Sequence, residues 1–462
     1  MPAWPSPLKC AKVTHSARRA AVERTLIKDL ATHIGQRVLV QGFVQVVRDQ
    51  KAVQFLLVRD HSGMVQVVVE RNEANRALCA EVSGLTREST VSVTGRVVEN
   101  PAVLLGQREI LCDSLTVESV AEPELPVDVF GRTETALNKR LDWRYLDLRH
   151  PRNQLMLDVQ TTVEHAMRTF WYDNHFVEIH SPKLMGSPSE TGADLFTVDY
   201  FGQQAFLAQS PQFYKQMAMA AGLERVFEIG PVFRADPSQT TRHAAEFTSV
   251  DMEISWINSH EDVMALEERW LQQVLQEVAA RHGEQIASSF GVEVRVPALP
   301  FPRISMAEAQ QALAETGYRA PADTKPGDLD PGGERALYQI IQRSFQHEFV
   351  FVTDYSVGVR PFYHMRHPDN PALTRSFDLL WKGVEVTTGS QREHRYAQLA
   401  AQAEEKGISR ESVQFYLDFF RYGCPPHGGL GFGLGRMLMQ LLGLASLREA
   451  TMLHRSQNRL TP

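Results

Sequence analysis

Cysteine is scarce in this chain: four among 462 residues, Cys10, Cys79, Cys112 and Cys424, with no CxxC pair. That spacing signals neither a disulfide framework nor a thiolate zinc site, and it points to a reducing cytoplasm. No apolar run approaches the roughly 18 residues that a membrane-spanning helix needs. The absence of Gly-Lys-Ser/Thr excludes a P-loop. The glycine-rich run from Gly431 to Arg436 lacks GxGxxG spacing and does not open a βαβ unit, which excludes a dinucleotide fingerprint. There are no internal repeats. A strong excess of one charge is missing as well: 48 Lys and Arg stand against 55 Asp and Glu, a net charge of −7. Bulk charge therefore gives no argument for nucleic-acid binding, although local basic surface can still take phosphates.

What is present is the balance of a soluble globular protein, with 43% apolar and 22% charged residues. The length implies two or three domains. Residues 1–22 carry Lys9, Lys12, Arg18 and Arg19 and no acidic residue. They fit an organelle transit peptide, a poorly ordered basic extension, or a start codon placed too far upstream. Over residues 23–122 the pattern predicts five short strands: RVLVQGFVQVV, AVQFLLVRD, MVQVVVE, STVSVTGRVVEN and REILCDSLTVESV. A turn at His61, Ser62 and Gly63 and a helix after the third strand complete the order expected of an OB-fold barrel. Phe43, Gln45, Arg48, Gln54 and Phe55 would form either a base-stacking, hydrogen-bonding face or ordinary barrel surface and core.

Residues 123–150, rich in proline and charge, read as a hinge. Residues 151–462 read as one large mixed domain, with helices over 152–174 and 259–282. Extended apolar runs joined by polar loops there predict a largely antiparallel sheet flanked by helices, an α+β fold. Residues 283–333, rich in proline and glycine with one helical interruption near Met306 to Thr316, look like an insertion.

Two segments carry the chemistry. FRADPSQTTRHAAEF, from Phe233 to Phe247, puts Arg234 and Arg242 at the two ends of a polar loop. GFGLGRMLM puts Arg436 at the end of a glycine-rich run. Guanidinium groups take phosphate oxygens through charge-assisted hydrogen bonds, and a ring with a guanidinium plane can sandwich a purine. Together the segments resemble motifs 2 and 3 of the class II aminoacyl-tRNA synthetases. The resemblance implies an OB-fold anticodon-binding domain followed by a class II catalytic domain. It places Arg234 on the α-phosphate and the amino-acid carboxylate, and Arg242 and His243 on the terminal phosphates. It puts Phe247 and Arg436 on the two faces of adenine, with Gly433 and Gly435 allowing close approach. HFVEIHSPKLM resembles motif 1, which implies a homodimer, although His175 stands where a glycine is common.

The run from Ser187 through QSPQFYKQ to FRAD resembles aspartyl-tRNA synthetases of the archaeal and eukaryotic type. By that likeness Glu190 accepts the α-ammonium, while Gln212, Lys215 and, from VEVTTGSQREH, Arg392 surround the side-chain carboxylate. RPFY, from Arg360 to Tyr363, is aspartyl-like too. Asp378, Glu385 and Thr388 supply hard oxygens for Mg²⁺ beside ATP. His427 in PPHGGLG is either a functional or a satisfied core histidine, and His364 and His367 have HxxH spacing without a third ligand. Two departures stand out. FRAE is the family's usual form, so Asp236 is one methylene shorter, and MLHRSQNRLTP lacks the Phe-Pro-Arg-Asp run common before the family's Arg-Leu-Thr-Pro ending, keeping only Arg455 of it. The resemblance implies an aspartyl-tRNA synthetase using ATP and tRNA-Asp. The alternatives are an enzyme that also charges tRNA-Asn, an asparaginyl enzyme, and a non-catalytic or tRNA-independent paralogue.

Overall fold

The computed structural model describes residues 23–187, 195–236 and 240–462, and the chain divides into two compact units after Pro126. Residues 1–22, expected as an extension, lie outside the described residues.

In the first unit β1 (Arg37–Asp49), β2 (Val53–Asp60), β3 (Gly63–Glu70), β4 (Thr90–Glu99) and β5 (Arg108–Ser119) close into a barrel of order β1-β2-β3-β5-β4. The period-two alternation of β-branched residues explains the closure: Val38, Val40, Leu56, Val58, Val65 and Val67 all point inward and are buried. Asp60 makes the β2–β3 turn by accepting from the N–H of Ser62 at 2.7 Å and of Gly63 at 3.0 Å. The expected helix after the third strand spans Arg76–Ser83.

The second unit is built on β6 (Val177–Glu178), β7 (Leu184–Met185), β8 (Thr197–Tyr200), β9 (Gln203–Leu207), β10 (Arg225–Phe233), β11 (Glu246–Ser255), β12 (Arg303–Ser305), β13 (Phe349–Thr353), β14 (Ser376–Trp381), β15 (Val384–Gln391) and β16 (His427–Gly433). Eight of these form one sheet in the order β12-β13-β14-β15-β16-β11-β10-β6; β7, β9 and β8 form a small second sheet. The central pairings are antiparallel, as expected, while the two edge pairs, β12 with β13 and β6 with β10, are parallel.

One face of the large sheet is covered by the Pro151–Asp173 and His260–Phe290 helices. Trp171 stacks on Trp270 with centroids 4.9 Å apart, and Trp270 meets Phe432 of β16 edge-on at 5.1 Å. Val250, Met252 and Ile254 of β11 point into this core. The alternate residues Ser249, Asp251 and Glu253 therefore line the opposite face, where the site lies.

Three expectations are corrected. The segment expected as a hinge over 123–150 belongs largely to the second unit. Arg144, 1% exposed, donates to the carbonyls of Glu449 at 3.1 Å and Thr451 at 2.8 Å, and Arg140 pairs with Glu449 at 3.0 Å. The second long helix runs past His282 to Phe290, because Ile286 is still buried in the core, and it ends at Gly291, whose φ of +71° is left-handed. The 283–333 segment holds the helix expected near Met306 to Thr316, at Met306–Glu315, but it is woven into the fold, since it also contributes that last helical stretch and edge strand β12.

Candidate active site

Strands β10 and β11 form a hairpin whose register pairs Val232 with Phe247 and Phe233 with Glu246. Beyond it the Arg234 N–H donates to the Ala245 carbonyl at 2.9 Å, so the pairing continues to the first motif arginine. The Arg234 guanidinium carbon lies 5.4 Å from the Phe247 ring centroid, a cation–π distance. The C-terminal segment closes the hairpin from outside: the Ala245 N–H donates to the Arg455 carbonyl at 2.9 Å.

This hairpin walls a cavity of about 750 Å³, within the usual range for small-molecule sites. Gln212, Arg234, Asp236, Arg242, His243, Phe247, Glu385, Thr388, Arg392, Gly433, Gly435 and Arg436, all expected at the site, share its lining. Glu190 lies outside the described residues.

At one end Arg436, in the first turn of the Leu434–Leu441 helix, donates to the Glu385 carbonyl at 2.9 Å and lies 3.4 Å from its carboxylate. Burial pulls the Glu385 carboxyl up, but Arg436, Arg360 and Arg234 together hold it below its ordinary value, so it is ionised at neutral pH. The Thr388 hydroxyl donates to Glu385 at 3.2 Å. These two supply ionised and neutral hard oxygens in the cavity wall, a donor set that fits Mg²⁺ beside phosphates. Asp378, the third expected ligand, does not line the cavity. It is buried, its Oδ1 2.7 Å from Arg360, and burial pushes its carboxyl up. Arg360 itself lies 3.6 Å over the Tyr355 ring. Asp378 thus anchors a cavity arginine. Among the described residues no cluster of three His, Cys, Asp or Glu could hold a metal.

At the other end Arg392 makes a two-point ion pair with Glu253, at 2.9 and 3.2 Å, and donates to Ser390 at 2.7 Å. Lys215 donates to Asp251 and to the Leu430 carbonyl, both at 2.8 Å. Lys215 was expected to approach the substrate directly, but it does not line the cavity; its partner Asp251 does. The sequence reading missed these countercharges. Their signal is the period-two spacing of Ser249, Asp251 and Glu253 on one strand.

The countercharges also explain the glycines of β16. The register sets Gly429 opposite Glu253 and Gly431 opposite Asp251. A Cβ at 429 would stand 2.1 Å from Glu253 Oε2, so only glycine leaves room for the carboxylate that grips Arg392. A Cβ at Gly435 would meet Leu447 Cδ1 at 2.6 Å, so a larger residue there needs the Leu447 side chain to shift.

A buried relay underlies Gln212. Gln216 Oε1 accepts from Gln212 and from the Tyr416 hydroxyl, each at 2.8 Å, and its amide donates to His427 Nε2 at 2.9 Å. His427 Nε2 is then an acceptor, and its Nδ1–H donates to the Pro425 carbonyl at 2.8 Å. His427 is therefore a satisfied core histidine. Burial holds it down to about 4 from its ordinary 6.5. Between those values the unfolded chain binds the proton and the folded one does not. Its stabilisation is complete above pH 6.5 and lost as pH falls toward 4. The melting temperature of His427→Gln is expected to fall less between those pH values than that of the parent. The slope should shrink without vanishing, because His260 and His454 are also held at about 4. An unchanged slope would contradict this assignment.

In the barrel Gln54, expected on a nucleic-acid face, is fully buried; its amide donates to the Cys79 carbonyl at 3.1 Å and Ser83 Oγ at 2.8 Å. It ties the Arg76–Ser83 helix to the barrel. Phe43 and Phe55 are half-buried, and Arg59 lies 5.6 Å over the Phe43 ring. His175, where a glycine is common, has a φ of +64°, the left-handed region that makes glycine the usual choice.

A family profile described as class II tRNA synthetases (D, K and N) matches residues 136–457, and one described as an OB-fold nucleic acid binding domain matches 38–118. The chain is 42% identical to an aspartate–tRNA(Asp/Asn) ligase of Aeropyrum pernix, covering 93% of this chain and 96% of that one. It is 40% identical to an aspartate–tRNA(Asp) ligase of Thermococcus kodakarensis, covering 93% and 97%. The structure superposes on an asparaginyl-tRNA synthetase from Pyrococcus horikoshii complexed with asparaginyl-adenylate, with a TM-score of 0.88 at 29% identity, over 96% of this chain and 100% of that one.

Proposed function

The chain belongs to the class II tRNA synthetases of the D, K and N group, and from that premise we propose that it is an aspartate–tRNA ligase. It joins L-aspartate to ATP and passes the aspartyl group to tRNA-Asp. The observation that carries the reading is one cavity whose lining brings together Arg234, Arg242, Arg360, Arg392 and Arg436.

In the first step a carboxylate oxygen of aspartate attacks the α-phosphorus of ATP. The bond to the bridging oxygen breaks, and pyrophosphate leaves with the electron pair. Arg234 holds the α-phosphate and the attacking carboxylate, so charge building on the phosphoryl oxygens meets a fixed guanidinium. Arg242 and His243 face the terminal phosphates, and Phe247 and Arg436 flank adenine. Mg²⁺ bound with ATP would take oxygens of Glu385 and Thr388 and neutralise phosphate charge. The aspartate side chain lies toward Arg392, whose fork suits a carboxylate better than a neutral amide. In the second step the ribose 3′-hydroxyl at the tRNA terminus attacks the aspartyl carbonyl, and AMP leaves.

Asp236 contacts adenine with a shorter reach than the family's glutamate, and Glu190 takes the α-ammonium. The barrel holds the anticodon loop through Phe43 and Phe55. The enzyme acts as a cytoplasmic homodimer; no described helix is long and apolar enough to cross a membrane.

A second reading, that tRNA-Asn is charged with aspartate as well, is favoured by the similarity to an Asp/Asn ligase. Charging purified tRNA-Asp and tRNA-Asn transcripts with each amino acid tests both readings. Aspartate on tRNA-Asp alone supports a discriminating enzyme, and aspartate on both supports the dual one.

A further inference from the structure

Arg242 is held by a residue that lies 92 positions away in sequence. Its Nη1 stands 2.6 Å from Oε2 of Glu334, and the two side chains are 16% and 6% exposed. Arg242 lines the cavity, whereas Glu334 does not. Glu334 sits in the first turn of the Pro331–Phe345 helix, a fixed support. The helix is capped by Asp330, which accepts from the Gly332 N–H at 2.8 Å. Asp330 also takes the Tyr318 hydroxyl, at 2.8 Å. Leu337 and Ile341 pack the same helix onto Val350, Val352 and Leu380 of the sheet.

The geometry has a consequence for the first step. Arg242 belongs to a loop, and a loop arginine must be ordered before it can meet a phosphate at a defined angle. The ion pair with Glu334 engages Nη1, and a guanidinium carries five N–H donors in a planar fork, so others can serve a second acceptor. The carboxylate also belongs to the site's electrostatic group: burial pushes Glu334 up to about 7, with Arg242 and Arg436 opposing and Glu385 adding to it.

We propose that Glu334 is a positioning residue for ATP, holding Arg242 at the cavity so that its guanidinium meets the terminal phosphates already oriented. The proposal rests on the ATP site described above and acts wholly through Arg242. ATP binding to the full-length protein by titration calorimetry, with thermal unfolding of each variant, tests it in a double-mutant cycle.

Glu334→Gln is expected to weaken ATP binding about tenfold in the parent and less than about twofold when Arg242 is already Ala. The KM for aspartate should not move in Glu334→Gln. Should Glu334→Gln fail to fold, Glu334→Asp, which keeps the charge at shorter reach, is expected to show the same dependence on Arg242 with a smaller loss. Equal losses in both backgrounds would overturn the proposal by making Glu334 merely structural. Tighter ATP binding in the single variant would overturn it too, because Glu334 would then compete with phosphate for Arg242. A parent that binds no ATP would instead sink the reading of the site itself.

Discussion

Arg234→Ala is expected to lower aspartate-dependent ATP–pyrophosphate exchange by about 10³-fold or more while the protein stays folded. The size follows from the role: one preorganised donor aimed at developing transition-state charge is worth roughly 10²–10³-fold in rate, and Arg234 also aligns the attacking carboxylate. Folding should survive because no ion pair among the described residues depends on this side chain; its geometry is a 5.4 Å approach to the Phe247 ring and a backbone bond to Ala245. Loss of Arg234 also removes one of the cations that hold Glu385 ionised. Near-normal exchange in Arg234→Ala would defeat the proposed chemistry.

The second large effect is expected at Arg392. Arg392→Leu should lower kcat/KM for aspartate in the exchange reaction by roughly 10³-fold, with a much smaller change in KM for ATP. Glu253, fully buried, loses its two-point partner, and breaking such a pair by removing one member costs roughly 3–5 kcal/mol. A lower melting temperature should accompany the kinetic loss. Arg392→Lys should be only a partial substitute, since an ammonium cannot span both Glu253 oxygens and Ser390 together. Aspartate titrations of exchange, with melting curves of the same samples, separate the two effects. An unchanged aspartate KM would place the side-chain pocket elsewhere.

The fold was legible where the pattern was regular. Strand alternation in the barrel and the first long helix were read within a few residues, whereas the second long helix runs on to Phe290. The ATP end was legible because Arg234, Arg242 and Arg436 sit in compact local motifs. Four things were missed or misplaced. Asp251 and Glu253 read as ordinary strand residues, although their spacing puts them on the face that carries the site. Glu334 was hidden because its partner Arg242 is distant in sequence and because the segment before it read as an insertion. Gln54 was misplaced by composition: it shares the inward face with Leu56 and Val58, so alternation already marked it as interior. Asp378 was read as a ligand from its chemistry, whereas the pairing partner that occupies it, Arg360, comes from a separate loop.

The central claim is that this cavity makes aspartyl-adenylate and delivers it to tRNA. Charging of a tRNA-Asp transcript by the purified protein with radiolabelled aspartate and ATP tests it most directly. The account predicts acid-precipitable aspartyl-tRNA, dependent on ATP and absent when asparagine replaces aspartate. Charging with asparagine, or no charging of tRNA-Asp at all by a folded protein, would contradict it.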